Sequence, residues 1–253
     1  MTDEPVVMDG AEAWSAEGGS VGVLVLHGFT GNPQSMRALA EAFAAAGFAV
    51  ELPRLRGHGT TVEDMLTTTW DDWTADVEAA YQALAARTDR IVVAGLSMGG
   101  ALTLWTALQH PEVVGLVCIN AIVEEPGDLR TAVEAMVEDG AETIDAIGGD
   151  IAKPDTREAS YEGTPLRPLL SMMDAGDELR SRLGEITAPV LIMTSPQDHV
   201  VAPTNSDLLA AAVGGPVERI TLERSYHVAT LDYDAELIEA EAVAFARRVS
   251  GLS

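Results

Sequence analysis

Positive charge is scarce in this chain. Its 253 residues carry 15 Lys plus Arg against 40 Asp plus Glu, a formal net charge of −25 at pH 7. Binding nucleic acid or an anionic membrane surface needs clustered positive charge, so neither is expected as a partner. The acidity reads as a solubility feature and says little about fold. Cysteine is nearly absent. Cys118 stands alone, which excludes an internal disulfide. Its setting, Gly115-Leu-Val-Cys-Ile-Asn120, reads as a buried strand in which a free thiol packs as a small apolar residue. The first residues, Met1-Thr-Asp-Glu-Pro5, lack the basic stretch and apolar run of a secretory leader, so a cytoplasmic location is expected. Metal-ligand spacing is missing too: one Cys and five scattered His form no cluster. No metal and no cofactor are expected.

What the chain does have is apolar residues in short runs. They make up 47% of it, enough for a packed core at a length that favours one domain, with or without an insertion. Residues 91–111 carry no formal charge and are long enough to span a bilayer. Gly95, Gly99 and Gly100 interrupt them, so a strand, a tight turn and a buried helix are expected instead, without stable membrane insertion. Further strands are expected at Val21 to Leu26, Phe48 to Leu52, Gly115 to Ala121, Pro189 to Met193 and Val217 to Leu222. Helices are expected after Asn32-Pro33, over Thr69 to Ala86, over Met98 to Gln109 and over Ala235 to Val249. Strands alternating with helices make the fold class α/β, a mostly parallel sheet covered on both faces. The rhythm breaks between about Glu124 and Gly184. That stretch is acidic and helix-like, with Val133, Met136, Val137, Ile144 and Ile147 as apolar positions. It exceeds an ordinary crossover and reads as an insertion that caps a pocket. The core is then residues 1–123 and 185–253, and the cap (lid) is residues 124–184.

Gly95-Leu-Ser-Met-Gly99 fits G-x-S-x-G between an apolar strand and an apolar helix. A serine on such a turn needs small neighbours so that the backbone can bend. The turn lifts its hydroxyl to the carboxyl edge of the sheet, beside a helix N-terminus. Ser97 is therefore the expected nucleophile. A serine needs a general base, and with this turn the acid and then the His follow it along the chain. His27, His58 and His110 come too early. His227 lies after the last strand and before the final helix, and is the expected base. Asp198 is the only carboxylate in the loop Ser195-Pro-Gln-Asp198 after the strand ending at Met193, and is the expected acid. His199 sits beside it, and Asp232 and Asp234 read as N-caps of the last helix. Acyl transfer also needs donors for an oxyanion. The backbone N–H groups of Met98 and of Phe29, in His27-Gly-Phe-Thr-Gly31, are expected to supply them. His27 reads as structural support under that loop, and Arg54, Arg56 and His58 as a constrained structural loop. Met65, Met136, Met172 and Met173 are acyl-pocket candidates, although most such residues are plain core.

Several of these pieces occur together. Leu26-His-Gly-Phe-Thr-Gly-Asn32, Arg56-Gly-His-Gly59, Asp72-Trp73, Gly95-Leu-Ser-Met-Gly-Gly100 and Ser225-Tyr-His-Val-Ala-Thr-Leu-Asp232 resemble the bacterial carboxylesterase and monoacylglycerol lipase family of α/β-hydrolases. The matches run in order from about residue 24 to 234. The resemblance implies an α/β-hydrolase fold with a small cap. It also implies a catalytic Ser97, Asp198 and His227, and oxyanion donors at Phe29 and Met98. The implied activity is that of a serine hydrolase cleaving carboxylic esters of short- to medium-chain acyl groups through an acyl-enzyme. Monoacylglycerol is a plausible small-molecule ester substrate. A thioesterase or other acyl hydrolase could use the same triad, and a non-catalytic ligand-binding homologue is a third reading. Tyr226 stands where such enzymes often carry a smaller residue and is expected to narrow the pocket. The insertion matches no motif, so the acyl and alcohol preferences stay open, as does the oligomeric state.

Overall fold

The computed structural model describes residues 5–124, 127–146 and 149–252. Its strands are β1 (Trp14–Ala16), β2 (Val21–Leu26), β3 (Ala49–Leu52), β4 (Arg90–Leu96), β5 (Gly115–Ile119), β6 (Thr143–Asp145), β7 (Gly163–Pro165), β8 (Val190–Thr194) and β9 (Val217–Thr221). Its α-helices are α1 (Arg37–Ala45), α2 (Val62–Met65), α3 (Trp70–Ala85), α4 (Met98–Gln109), α5 (Gly127–Glu138), α6 (Leu166–Arg182), α7 (Thr204–Ala212) and α8 (Ala235–Ser250). Among the described residues, seven strands form one sheet in the order β1-β3-β2-β4-β5-β8-β9, and β6 pairs with β7 apart from it. Only the edge strand β1 runs antiparallel in that sheet.

The continuous apolar runs follow from burial on both faces. Side chains alternate along a strand, so successive residues enter opposite layers. In β2, Val21, Val23 and Val25 join the layer that holds Phe43 of α1 and Phe245 of α8, while Leu24 and Leu26 join the layer that holds Trp73 of α3 and Leu102 of α4. In β5, Cys118 faces the second layer and is fully buried. Burial pushes its thiol up to about 12, so it stays protonated and inert. The uncharged stretch over residues 91–111 becomes β4, a turn and α4. No α-helix among the described residues is long and apolar enough to cross a membrane.

The segment over residues 124–184 is, among its described residues, less uniformly helical than its composition suggests. Val133, Met136 and Val137 lie on α5, but Ile144 is in β6, paired with Thr164. Ile147 lies outside the described residues. Pro165 stands at the N-cap of α6 and Pro168 in its first turn, where a missing N–H costs least. Leu166, Leu169, Met172, Met173 and Leu179 of α6 pack into the same apolar cluster as α3 and α4.

The charged residues of the loop after β3 anchor it. Arg56 bonds both Asp72 and Asp76, and Arg54 donates to the carbonyl of His58. Asp72 also accepts the Thr69 N–H at 3.0 Å and closes a capping box at the start of α3, a feature worth about 1 kcal/mol. Trp73 is fully buried, and its indole N–H donates to the carbonyl of Arg56.

Candidate active site

Chain order reverses around β2: β3 lies on one side of it and β4 on the other. Open α/β sheets leave a crevice at the carboxyl ends of the strands at such a point. Here the two strand ends carry His27-Gly28 and Ser97.

Ser97 sits between β4 and α4 with φ 57° and ψ −118°. Such a conformation costs a side-chain-bearing residue about 1–3 kcal/mol. The surrounding packing leaves no alternative. A Cβ on Gly95 would lie 2.0 Å from the carbonyl oxygen of Gly99, and one on Gly99 would lie 2.2 Å from that of Leu26. The turn is thus pressed against itself and against β2, and only glycine fits on either side of the serine. As the first residue of α4, Met98 has an N–H without an intrahelical acceptor.

His227 Nδ1 lies 2.7 Å from Asp198 Oδ2, with both side chains more than nine-tenths buried. The other carboxylate oxygen, Oδ1, accepts the N–H groups of Val200 and Val201 at 2.8 Å each. One oxygen therefore shapes the turn and the other meets the imidazole. Since a carboxylate accepts, Nδ1 carries the proton and Nε2 is left as the basic nitrogen. Ser97 and His227 line one cavity with Gly28, Phe29, Leu169 and Met172.

A second set of bonds orients the loop at the end of β2. His27 is fully buried; its Nδ1–H donates to the carbonyl of Gly28 at 3.0 Å and its Nε2 accepts the Leu55 N–H at 3.2 Å. A planar trans peptide points its N–H opposite to its C=O. Drawing the Gly28 carbonyl toward His27 therefore turns the Phe29 N–H the other way. The Thr30 hydroxyl donates to the Phe29 carbonyl at 2.7 Å and holds the next peptide. Burial drives His27 down to about 4, which keeps the imidazole neutral in this role.

A model of the alpha/beta hydrolase family matches residues 23–240. The chain belongs to the alpha/beta hydrolase family. It is 46% identical to the thermostable monoacylglycerol lipase of Bacillus sp. (strain H-257), across 99% of this chain and all of that protein. It is 25% identical to a carboxylesterase of Bacillus subtilis (strain 168), covering 92% of this chain and 95% of the relative. A structure from a study of LipS and LipT, two metagenome-derived lipolytic enzymes, superposes with a TM-score of 0.93 at 44% identity, covering 96% of this chain and all of that one.

In this hydrolase several polar residues around the site carry no sequence signal of their own. Asn120, at the end of β5, has φ 43°. Its Nδ2 donates to the His227 carbonyl at 2.8 Å, and its Oδ1 accepts the Ser195 N–H at 2.8 Å. It thereby ties the loops after β8 and β9 together. Asn tolerates a left-handed backbone better than most residues, which is the only hint its position offers. Among the described residues, Glu158 is the one carboxylate lining the cavity. Burial raises its pKa above the ordinary range, against the pull of His227.

Other expectations need correcting. Asp234 occupies the N-cap position of α8, but its side chain accepts the Arg224 N–H and the Ser225 hydroxyl instead of capping the helix. Asp232 accepts the N–H groups of Ala152, Lys153, Tyr226 and Tyr233. Both carboxylates fold back onto the loop that carries His227, where buried amides outbid a helix end. Tyr226 is not among the cavity-lining residues; its ring packs edge-on against His199 at 4.6 Å. Of the four methionines, Met172 lines the cavity, Met65 is core, Met173 is buried beside it on α6, and Met136 is exposed.

Proposed function

We propose that Ser97 is the nucleophile, His227 the general base and Asp198 its orienting acid, with the backbone N–H groups of Phe29 and Met98 as oxyanion donors. The chain is a carboxylic ester hydrolase. The observation that carries the residue assignment is the 2.7 Å contact between His227 and Asp198, buried beside a strained Ser97 on the same cavity. In the first half-reaction, His227 Nε2 takes the proton of Ser97 Oγ as it attacks the ester carbonyl. The tetrahedral oxyanion is met by the two N–H groups, each worth about 3 kcal/mol to the transition state. The imidazolium then protonates the departing alcohol and an acyl-enzyme remains. Water, activated by the same His227, releases the acid.

The substrate proposed is a monoacylglycerol or similar ester with a short- to medium-chain acyl group. The 46% identity to a monoacylglycerol lipase supports this, as does the cavity itself. Leu129, Leu169, Met172 and Val201 give it apolar walls for an acyl chain, while Glu158 offers an acceptor to a hydroxylated alcohol. Residues 124–184 act as the cap over this site, since Leu129, Glu158, Leu169 and Met172 all come from them. A cytoplasmic location is proposed with this reading; cell fractionation tests it.

Ser97→Ala is expected to abolish turnover of p-nitrophenyl esters and monoacylglycerols and to prevent labelling by a fluorophosphonate. Wild-type turnover in that variant would remove the assignment. Matched oxyesters and thioesters, compared by kcat/KM, are expected to favour the oxyester.

A further inference from the structure

The two partners that must meet for this chemistry arrive on separate loops. Asp198 follows β8 and His227 follows β9. A third segment, residues 150–153 of the insertion, is bonded to both. Asp150 Oδ2 accepts the N–H of His199, next to Asp198, and the N–H of His227 itself, each at 3.1 Å. Its own carbonyl accepts the Val228 N–H at 3.0 Å. Asp150 Oδ1 lies 2.9 Å from the ring Nδ1 of His199. The carboxylate is only 16% exposed, whereas the His199 side chain is 62% exposed. Two residues on, Ala152 and Lys153 donate to Asp232, which also accepts the Tyr226 N–H. The insertion is therefore fastened on both sides of His227.

We infer that Asp150 is a positioning residue, whose carboxylate bridges the backbone of the acid loop to that of the His227 loop and so sets the approach of Asp198 to the imidazole. The inference rests on the triad assignment above. Its physical basis is the short reach of one carboxylate. A single oxygen that accepts from residues 199 and 227 holds those two amides within one hydrogen-bond length of the same point. The 2.7 Å contact between His227 Nδ1 and Asp198 Oδ2 spans the same two loops. Without the bridge the loops stay joined through Asn120, through the Ser195 hydroxyl donating to the Tyr226 carbonyl at 2.9 Å and through Gln197 Nε2 donating to the Glu223 carbonyl at 3.2 Å, all of which attach ahead of Asp198 in the chain. Misplacement by about 1 Å costs such a site up to about 100-fold in rate. A further consequence is that the insertion feeds the triad as well as covering it.

The exposed arm to His199 is separable from the bridge. A hydrogen bond to a ring that is mostly in water contributes little, whereas loss of Oδ2 removes the acceptor shared by two backbone amides, of which that of His227 is part-buried. Asparagine at position 150 keeps a carbonyl oxygen for the two amides, and alanine keeps nothing.

The test uses Asp150→Ala, Asp150→Asn and His199→Ala, each compared with wild type in kcat and KM on p-nitrophenyl butyrate and in the fluorophosphonate labelling rate of Ser97. Asp150→Ala is expected to lower kcat and the labelling rate by about 10- to 100-fold with KM within about threefold. Asp150→Asn is expected to recover to within about fivefold of wild type, and His199→Ala to stay near it. Where Asp150→Ala does not fold, Asp150→Glu carries the test: it keeps the charge, displaces the acceptor by a methylene, and is expected to lose about tenfold in kcat. The inference is overturned by wild-type kcat in Asp150→Ala or Asp150→Glu, or by equal losses in Asp150→Ala and Asp150→Asn. If Ser97→Ala retains activity, the triad assignment fails instead, and that result is read separately.

Discussion

Replacing Gly99 by alanine tests whether the serine turn is held by contact with β2. The added Cβ would lie 2.2 Å from the carbonyl oxygen of Leu26 and 2.7 Å from that of His27. An ordinary carbon–oxygen approach is about 3.3 Å, so α4 must retreat by about 1 Å. Both neighbours are backbone, one in β2 and one at its end, and neither can rotate away. Overpacking of this kind costs about 1–3 kcal/mol. At this chain length that lowers the thermal midpoint by about 2–12 °C. The retreat also carries Ser97 and the Met98 N–H away from the Phe29 loop. A displacement of that size at the reacting centre is worth about 100-fold in kcat. Gly176→Ala is the control. Gly176 lies within α6 with no atom in the way of a Cβ, so alanine there is expected to gain about 0.5–1 kcal/mol and keep wild-type kcat. The assay is kcat on p-nitrophenyl butyrate beside thermal unfolding for both variants. A Gly99→Ala protein with wild-type kcat and wild-type midpoint would refute the close-approach argument.

Two further outcomes follow from the pocket and its supports. His27 has a folded-state pKa of about 4 against 6.5 unfolded, so the unfolded chain binds the proton first as pH falls. Its contribution is intact above pH 6.5 and is lost as pH drops toward 4, amounting to about 2 kcal/mol at pH 5. Buried His58 shifts in the same direction. Urea unfolding at pH 7 and pH 5 is expected to show a smaller loss in His27→Gln than in wild type; equal losses would assign the acid sensitivity elsewhere. Glu158→Gln is expected to raise KM for monoacylglycerols several-fold while leaving p-nitrophenyl butyrate nearly unaffected, and an equal effect on both substrates would remove Glu158 from the alcohol side of the site.

Much of this architecture is visible in local pattern. A strand buried on both faces must be apolar at every position, which is why β2, β4, β5 and β8 are plain in the chain. The glycines flanking Ser97 are visible because a turn that tight admits nothing larger. Other parts are silent for equally physical reasons. β1 is a three-residue edge strand and pairs along one side only, so it has no reason to be apolar throughout. Strand β6 is mostly exposed, and Ile144 sits there among polar residues that a helix would accept equally well. Asp232 and Asp234 look like helix caps because cap chemistry and loop-bracing chemistry use the same side chains. Which amides they meet depends on how the loop folds back.

By itself, the sequence determined the α/β order of elements and pointed to Ser97, Asp198 and His227 as candidates for the chemistry. Those features follow from periodicity and from chain order, which act along the chain. The tertiary structure alone decided how the loops carrying them are braced. Asn120 joins the ends of β5 and β8 to the His227 loop, His27 turns the Phe29 peptide, and Asp150 reaches in from the segment between β6 and β7 to meet the amides of residues 199 and 227. Apart from the bond of His27 to the neighbouring Gly28 carbonyl, these residues reach partners 28 to 107 positions away. Hydrogen bonds over such separations leave no periodic trace, because only the folded sheet edge brings the two ends together.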